Sequence, residues 1–202
     1  MSKQSVIPFL ANGEEVQAIL EGRKTVFRKL IKPQPTCAYP RDCGCTIWNH
    51  GKTDDACDRE CLGLDVGKEI YQPGDILYIR ETWDYLEGWK LKDSGIEGKY
   101  FYRADGDLRP IGWRGNWQAS VHMPKEAARI WLRVTDVKVE KLNDMTIEDC
   151  EKEGVMSGRN GDIFSFMQIW DSKLCKADRE KYGWSPNPWV WVVEFERCEK
   201  PK

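Results

Sequence analysis

The sequence has no run approaching the ~18 consecutive apolar residues of a membrane-spanning helix, so no membrane segment is expected. Its first ten residues, MSKQSVIPFL, lack the long apolar stretch of a secretory leader, which predicts a cytoplasmic protein. An excess of charge is missing too: 31 basic residues against 33 acidic ones leave a net charge of −2 at pH 7. That excludes a global polycation, so any contact with nucleic acid must come from a local patch. Histidine is scarce, with only His50 and His122. There is no G-x-x-x-x-G-K-[ST] loop, no G-x-G-x-x-G fingerprint, no G-x-S-x-G elbow and no H-E-x-x-H pair. These absences argue against nucleotide-driven motors, Rossmann oxidoreductases, common serine hydrolases and zincins. Internal repeats and low-complexity tracts are absent as well.

What is present describes a folded chain. Of 202 residues, 41 % are hydrophobic and 11 % aromatic, enough to build a core without staples. The length predicts a single domain over residues 1–202, and a monomer is expected. Two enrichments stand out: ten tryptophans and eight cysteines. In a cytoplasmic chain cysteines are metal ligands, reactive thiols or core fillers more often than disulfides.

Hydrophobic periodicity lays out the elements. Ile7-Pro8-Phe9 reads as a short edge strand. Asn12 and Glu15 form a capping box for a helix whose Val16, Ile19 and Leu20 share a face and which Gly22 stops. Arg23 to Ile31 reads as a strand with a basic face, ended by Lys32-Pro33-Gln34-Pro35. Residues 36–68 are rich in Cys, Gly and Asp without hydrophobic periodicity and read as an insertion. After the turn at Gln72-Pro73-Gly74-Asp75, Ile76 to Trp83 reads as one strand, and Tyr100 to Arg103 as another. Residues 105–124 read as loop. Arg129 to Leu142 is the clearest strand; its apolar alternation changes phase at Thr135-Asp136, as at a bulge. Thr146 and Asp149 form a second capping box, with Gly154 as the stop. Ile163, Phe166, Met167, Trp170 and Leu174 mark a further helix. Trp189 to Arg197 is the last strand. Strands separated by short helices predict an α+β fold around a small mixed barrel.

Five features could carry chemistry. Residues 23–32 hold five Lys or Arg and no acid, and strand alternation puts Lys24, Val26 and Arg28 on one face with Thr25, Phe27 and Lys29 on the other. Lys24 and Arg28 could line an anion site; the alternative is a solvated basic edge. Arg80-Glu81-Thr82-Trp83 sets a guanidinium and a carboxylate beside an indole, a combination that orients a planar base by stacking and edge hydrogen bonds, or else is a surface ion pair beside a core tryptophan. His122 could be a base, a phosphate contact or a stacked ring, or a structural histidine. Glu153, at a helix end, could move protons or simply sit in solvent. Cys37, Cys43, Cys45, Cys57 and Cys61 crowd into 25 residues. Four of them would complete a tetrahedral structural zinc site, although their spacing is not that of paired C-x-x-C motifs, and free thiols or disulfides remain the alternatives.

Several segments together carry a family resemblance. A helix ending in Ile19-Leu20-Glu21-Gly22-Arg23-Lys24-Thr25 is followed by Ile31-Lys32-Pro33-Gln34-Pro35. Next comes the stretch from Tyr71 to Trp83, reading YQPGDILYIRETW. His122-Met123-Pro124 and Asn187-Pro188-Trp189-Val190-Trp191-Val192 follow in order. This succession resembles the ASCH domain, in a branch common in bacterial and prophage genomes, and spans most of the chain outside the cysteine-rich insertion. The resemblance implies a PUA-like pseudobarrel that binds RNA, another single-stranded nucleic acid or a modified nucleoside in a cleft beside the first helix. Lys24, Thr25, Arg28, Arg80, Glu81, Trp83 and His122 would be its contacts. It also implies a second possibility, an amidohydrolase that removes the acyl group of N4-acylated cytidine, with Lys24 and Glu153 in the catalytic set. The threonine of that set falls at Phe27, a departure from the pattern. A metal-dependent ribonuclease is the third expectation.

Overall fold

The computed structural model describes residues 4–35, 71–90, 97–113, 115–155 and 162–201. The cysteine-rich insertion expected at 36–68 lies outside them, and with it Cys37, Cys43, Cys45, Cys57, Cys61 and the zinc site they could form.

The sequence signals produce the local elements through identifiable caps. Strand β1 (Val6–Leu10) runs into helix α1 (Gly13–Leu20), where the Asn12 side chain accepts the Glu15 N–H and the Glu15 carboxylate accepts the Asn12 N–H. That reciprocal box satisfies two donors the first turn would otherwise strand. Past the C-cap Glu21, Gly22 takes φ of +75°, the left-handed conformation a glycine reaches without steric cost. Helix α2 (Ile147–Lys152) repeats the device, with Thr146 and Asp149 as its box and Gly154 at φ +82° beyond its C-cap, Glu153.

The architecture is mixed α+β. Strands β1, β2 (Val26–Leu30), β3 (Ile76–Arg80), β6 (Trp131–Lys141) and β7 (Trp189–Cys198) form a five-stranded sheet in the order β1-β3-β6-β7-β2. Strands β4 (Trp83–Lys90) and β5 (Glu97–Tyr102) form a separate two-stranded ribbon. Among the described residues the larger sheet is open, with β1 and β2 at its ends. Helices α3 (Asp162–Ser172) and α4 (Lys176–Tyr182) precede β7. No helix of the described residues is long and apolar enough to cross a membrane.

The chain divides into two compact units. The first holds residues 1–22, 75–133 and 196–202; the second holds 23–74 and 134–195. In the first, β1 pairs in parallel with β3, Val6 opposite Ile76 through Leu10 opposite Arg80, and β3 runs antiparallel to the start of β6. Its core gathers Ile76, Tyr78, Met123, Ala127, Ala128 and Trp131, with Trp83, Tyr100 and Tyr102 packed against them. In the second, β2 runs antiparallel to β7, Val26 opposite Glu194 through Leu30 opposite Val190. Its core gathers Val26, Leu142, Met145, Cys150, Phe166, Trp170, Val190 and Val192. Each fully buried aliphatic side chain here contributes roughly 1.5–3 kcal/mol.

Three elements differ from the sequence reading. The expected strand from Ile76 to Trp83 is interrupted: β3 ends at Arg80, the Glu81 side chain turns inward, and Trp83 pairs its backbone with Gln118 at 3.2 and 2.8 Å. Hydrophobicity alone does not show that break, because apolar and aromatic residues continue through it. The basic strand is shorter than Arg23 to Ile31 and is covered on both faces, with Val26, Phe27 and Arg28 all buried. Helix α4 has no apolar periodicity to announce it; its residues are Lys-Ala-Asp-Arg-Glu-Lys-Tyr. By contrast, the phase change in β6 is present: Leu132 and Val134 are buried, Thr135 and Asp136 are both exposed, and burial resumes at Val137 and Val139.

Candidate functional site

The strip of basic residues leads to the most unusual chemistry of the second unit. Thr25 is held by its backbone from two sides. Its N–H donates to the Lys152 carbonyl at 2.8 Å, and its own carbonyl accepts the Phe195 N–H at 2.9 Å. The preceding residue, Lys24, forms an isolated antiparallel bridge with Glu153, the C-cap of α2. These constraints turn Lys24 inward, where it is 4 % exposed against 8 % for Glu153. The Lys24 ammonium donates to Glu153 Oε2 at 2.6 Å and to the Glu153 carbonyl at 3.0 Å. The two residues are 129 positions apart in sequence.

Two residues on along the same strand face, Arg28 enters the same cluster, its side chain only 1 % exposed. Its Nη1 lies 3.4 Å from Glu153 Oε1, and its Nη2 lies 3.4 Å from Glu140 Oε2 and 3.6 Å from Asp149 Oδ2. The Arg28 Nε–H is buried and finds no acceptor among the described residues. Lys138 adds a third cation, 3.4 Å from Glu140 and 3.6 Å from Glu194. Burial works to raise the Asp149 carboxyl. It is outweighed by the hydrogen bonds from the Thr146 N–H and hydroxyl and by the charges of Arg28 and Lys138, which hold it below the usual carboxylate range.

Lys24 and Arg28 are therefore no solvated edge, although Lys29 and Lys32 of the same strip are exposed. Lys24, Arg28 and Lys138 face four carboxylates: Glu140, Asp149, Glu153 and Glu194. A cluster in which acids outnumber cations does not attract phosphate as a bare basic patch does. What it offers is a buried ammonium donor and a carboxylate acceptor side by side, an arrangement suited to the edge of a neutral planar molecule or to passing a proton.

The remaining strand residues behave differently. Thr25 is exposed. Phe27 is buried, edge-on to Tyr71 with ring centres 5.4 Å apart and 5.9 Å from the ring of Phe195. Position 27 therefore supplies a core ring and no hydroxyl.

Arg80, Glu81, Trp83 and His122 belong to the first unit. Glu81 is 1 % exposed, and Arg129 binds both its oxygens, Nε to Oε1 at 2.9 Å and Nη2 to Oε2 at 3.0 Å. Arg129 also grips Asp105 at 2.6 and 2.9 Å and stacks over the Tyr102 ring at 4.0 Å. Burial pushes the Glu81 carboxyl up against the opposing pull of Arg129. Glu81 thus anchors Arg129 and offers no free edge to a base. Arg80 lies against the Tyr78 ring and donates from Nη1 to the Val121 carbonyl at 3.2 Å. Trp83 packs against the core with its Nε1–H buried and unpartnered among the described residues. His122 is exposed at the end of a 3-10 turn, Ser120–His122.

A third group went unread in the sequence. The buried Asp84 accepts from Arg109 at 3.1 Å and from the Trp113 indole at 2.7 Å, while the Arg109 guanidinium stacks over Trp117 at 4.0 Å. These residues order the expected loop. Arg129, Glu140 and Asp149 were missed as members of charge clusters for one reason: each meets its partner across strands and helices, and no local spacing encodes that. Asp149 was visible only as a helix cap. Among the described residues no group of three His, Cys, Asp or Glu side chains is placed to hold a metal ion.

Comparison with known proteins finds no match to this chain among protein-family models, curated proteins or solved structures.

Proposed function

We propose that the chain is an ASCH-type protein of the PUA-like class, and that Lys24, Arg28 and Glu153 recognise a modified nucleoside, free or unpaired within RNA. The observation that carries this reading is the 2.6 Å contact between Lys24 and Glu153, two residues that the family resemblance places in one site and that nothing local in the sequence joins. The open five-stranded sheet would be the described part of the pseudobarrel that the resemblance implies. A pyrimidine edge alternates donors and acceptors, and a lysine donor beside a glutamate acceptor complements it. Because the acids outnumber the cations, affinity would rest on the base edge rather than on phosphate, and would fall little with salt. Structural zinc on four of the five clustered cysteines belongs to the same reading, and metal analysis of the purified protein tests it.

The same contact favours a second reading, hydrolysis of an N4-acyl group from cytidine. Glu153 would take a proton from water, the hydroxide would add to the acyl carbon, and Lys24 would stabilise the oxyanion. Breaking the C–N bond with proton return to nitrogen would release a carboxylic acid and cytidine. With Phe27 at the family's threonine position, water is the nucleophile this chain would need.

Incubation with N4-acetylcytidine, cytidine and a short single-stranded RNA, followed by native mass spectrometry and product chromatography, separates the readings. A bound, unchanged nucleoside that is lost in Lys24→Ala and Glu153→Gln supports recognition. Release of acetate that stops in both variants supports hydrolysis. No binding and no turnover of any of the three refutes the proposal.

A further inference from the structure

Three buried side-chain N–H groups of the described residues lack an acceptor, and two of them, Arg80 Nε and Trp83 Nε1, lie three positions apart at the junction of β3 and β4. Folded proteins rarely leave such groups unsatisfied, and those that remain ask for an explanation. The charge at this junction is unbalanced as well. Arg28, Arg109, Arg129 and Arg133 each sit within ion-pair range of a carboxylate. Arg80 has none among the described residues, and the neighbouring Glu81 is closed off by Arg129. Among the described residues the Arg80 side chain makes one hydrogen bond, from Nη1 to the Val121 carbonyl. That bond brings it to the turn that ends in the exposed His122, directly before the buried Met123. Arg80, Trp83 and Met123 all meet the same core cluster, Arg80 through the Tyr78 ring.

We propose that Arg80, Trp83 and His122 form a binding site for a phosphoryl oxyanion. A guanidinium presents parallel N–H groups that match two phosphate oxygens, and its charge, which meets no carboxylate among the described residues, strengthens those bonds. The indole adds a donor with no acceptor character, and the imidazole adds a third donor from the surface. An arriving oxyanion replaces the Val121 carbonyl on Arg80. The head group then turns its Nε edge to the ligand, and the donors that are closed off in the free protein gain their acceptor. None of this uses the Lys24 cluster.

The test reads the Trp83 indole directly. Trp83→Phe keeps an aromatic ring in the core but has no side-chain N–H, so it identifies the Trp83 Nε1–H cross-peak in a 1H–15N spectrum. Inorganic phosphate and cytidine 5′-monophosphate are titrated separately into the wild-type protein, against sodium chloride at matched ionic strength. We expect a saturable shift of that cross-peak with phosphate and none with chloride. In Arg80→Lys, which retains the charge and loses the fork, affinity falls about tenfold, the loss of one hydrogen bond to a charged group. Tighter binding of the monophosphate assigns a phosphorylated nucleoside as the source, and equal binding assigns free phosphate. A Trp83 signal that stays fixed in both titrations, or that moves equally with chloride, overturns the proposal, as does wild-type affinity in Arg80→Lys.

Discussion

Removing both members of the Lys24–Glu153 pair should cost clearly less than the sum of removing each alone. At an effective dielectric of about 20, unit charges 2.6 Å apart attract by about 6 kcal/mol. Desolvation cancels much of this in the intact protein, because the two side chains are 3 % and 6 % exposed. In Lys24→Met the cancellation fails: the Glu153 carboxylate stays buried with only Arg28, 3.4 Å away, as its cation. A loss of about 3 kcal/mol is expected, at the lower end of the range for broken buried pairs. Glu153→Leu should cost more, about 4–5 kcal/mol, since it strands Lys24 and loosens Arg28 together. Lys24→Met combined with Glu153→Leu replaces the pair by apolar groups and should cost at least 2 kcal/mol less than the sum of the single losses. Urea unfolding of the four proteins, monitored by circular dichroism, measures the cycle. Losses that add to within about 0.5 kcal/mol would refute the reasoning, because they would mean that the two charges do not feel each other.

The other predictions concern particular supports of the two units. Phe27→Thr removes a ring packed on Tyr71 and Phe195 and should lower stability by about 3 kcal/mol, as read from the denaturant midpoint. Thr146→Ala deletes the hydroxyl's hydrogen bond to the Asp149 carboxylate and, with it, the helix cap on the Asp149 N–H, while the Thr146 N–H bond to that carboxylate remains. It should cost about 1 kcal/mol at neutral pH. Asp149 is held low in the folded chain, so its contribution is present above its unfolded value and is lost as pH falls. Weakening it should move acid unfolding of Thr146→Ala to higher pH, and a pH titration followed by circular dichroism checks this. The Tyr102 hydroxyl is pushed up to about 12 by burial, whereas the unfolded chain ionises near 10. Its contribution is therefore full below pH 10 and is lost as pH rises from 10 toward 12. The stability of Tyr102→Phe should fall less than that of the wild type across that window.

Both capping boxes, the glycine stops after α1 and α2, the edge position of β1 and the phase change in β6 were legible in the sequence. Each depends on residues within a few positions of one another, where backbone geometry and period determine the outcome. Lys24, Arg28 and Glu153 could be named as candidates, but their meaning was not legible. Whether Lys24 and Arg28 sit on a solvated edge or in a buried cluster depends on what covers them. Here the cover is Glu140 from β6 together with Asp149 of α2 and Glu153 at its C-cap, brought in from more than a hundred positions away. Arg80 and Glu81 were indistinguishable in the same way. Only the tertiary structure gives Glu81 the guanidinium of Arg129 and, among the described residues, gives the Arg80 head group the Val121 carbonyl and no carboxylate. The sequence by itself determined where the chain turns, caps and alternates, because those are contests between neighbouring groups. The tertiary structure decided which charges are paired, because ion pairing is set by distance in space, and sequence spacing carries no record of it.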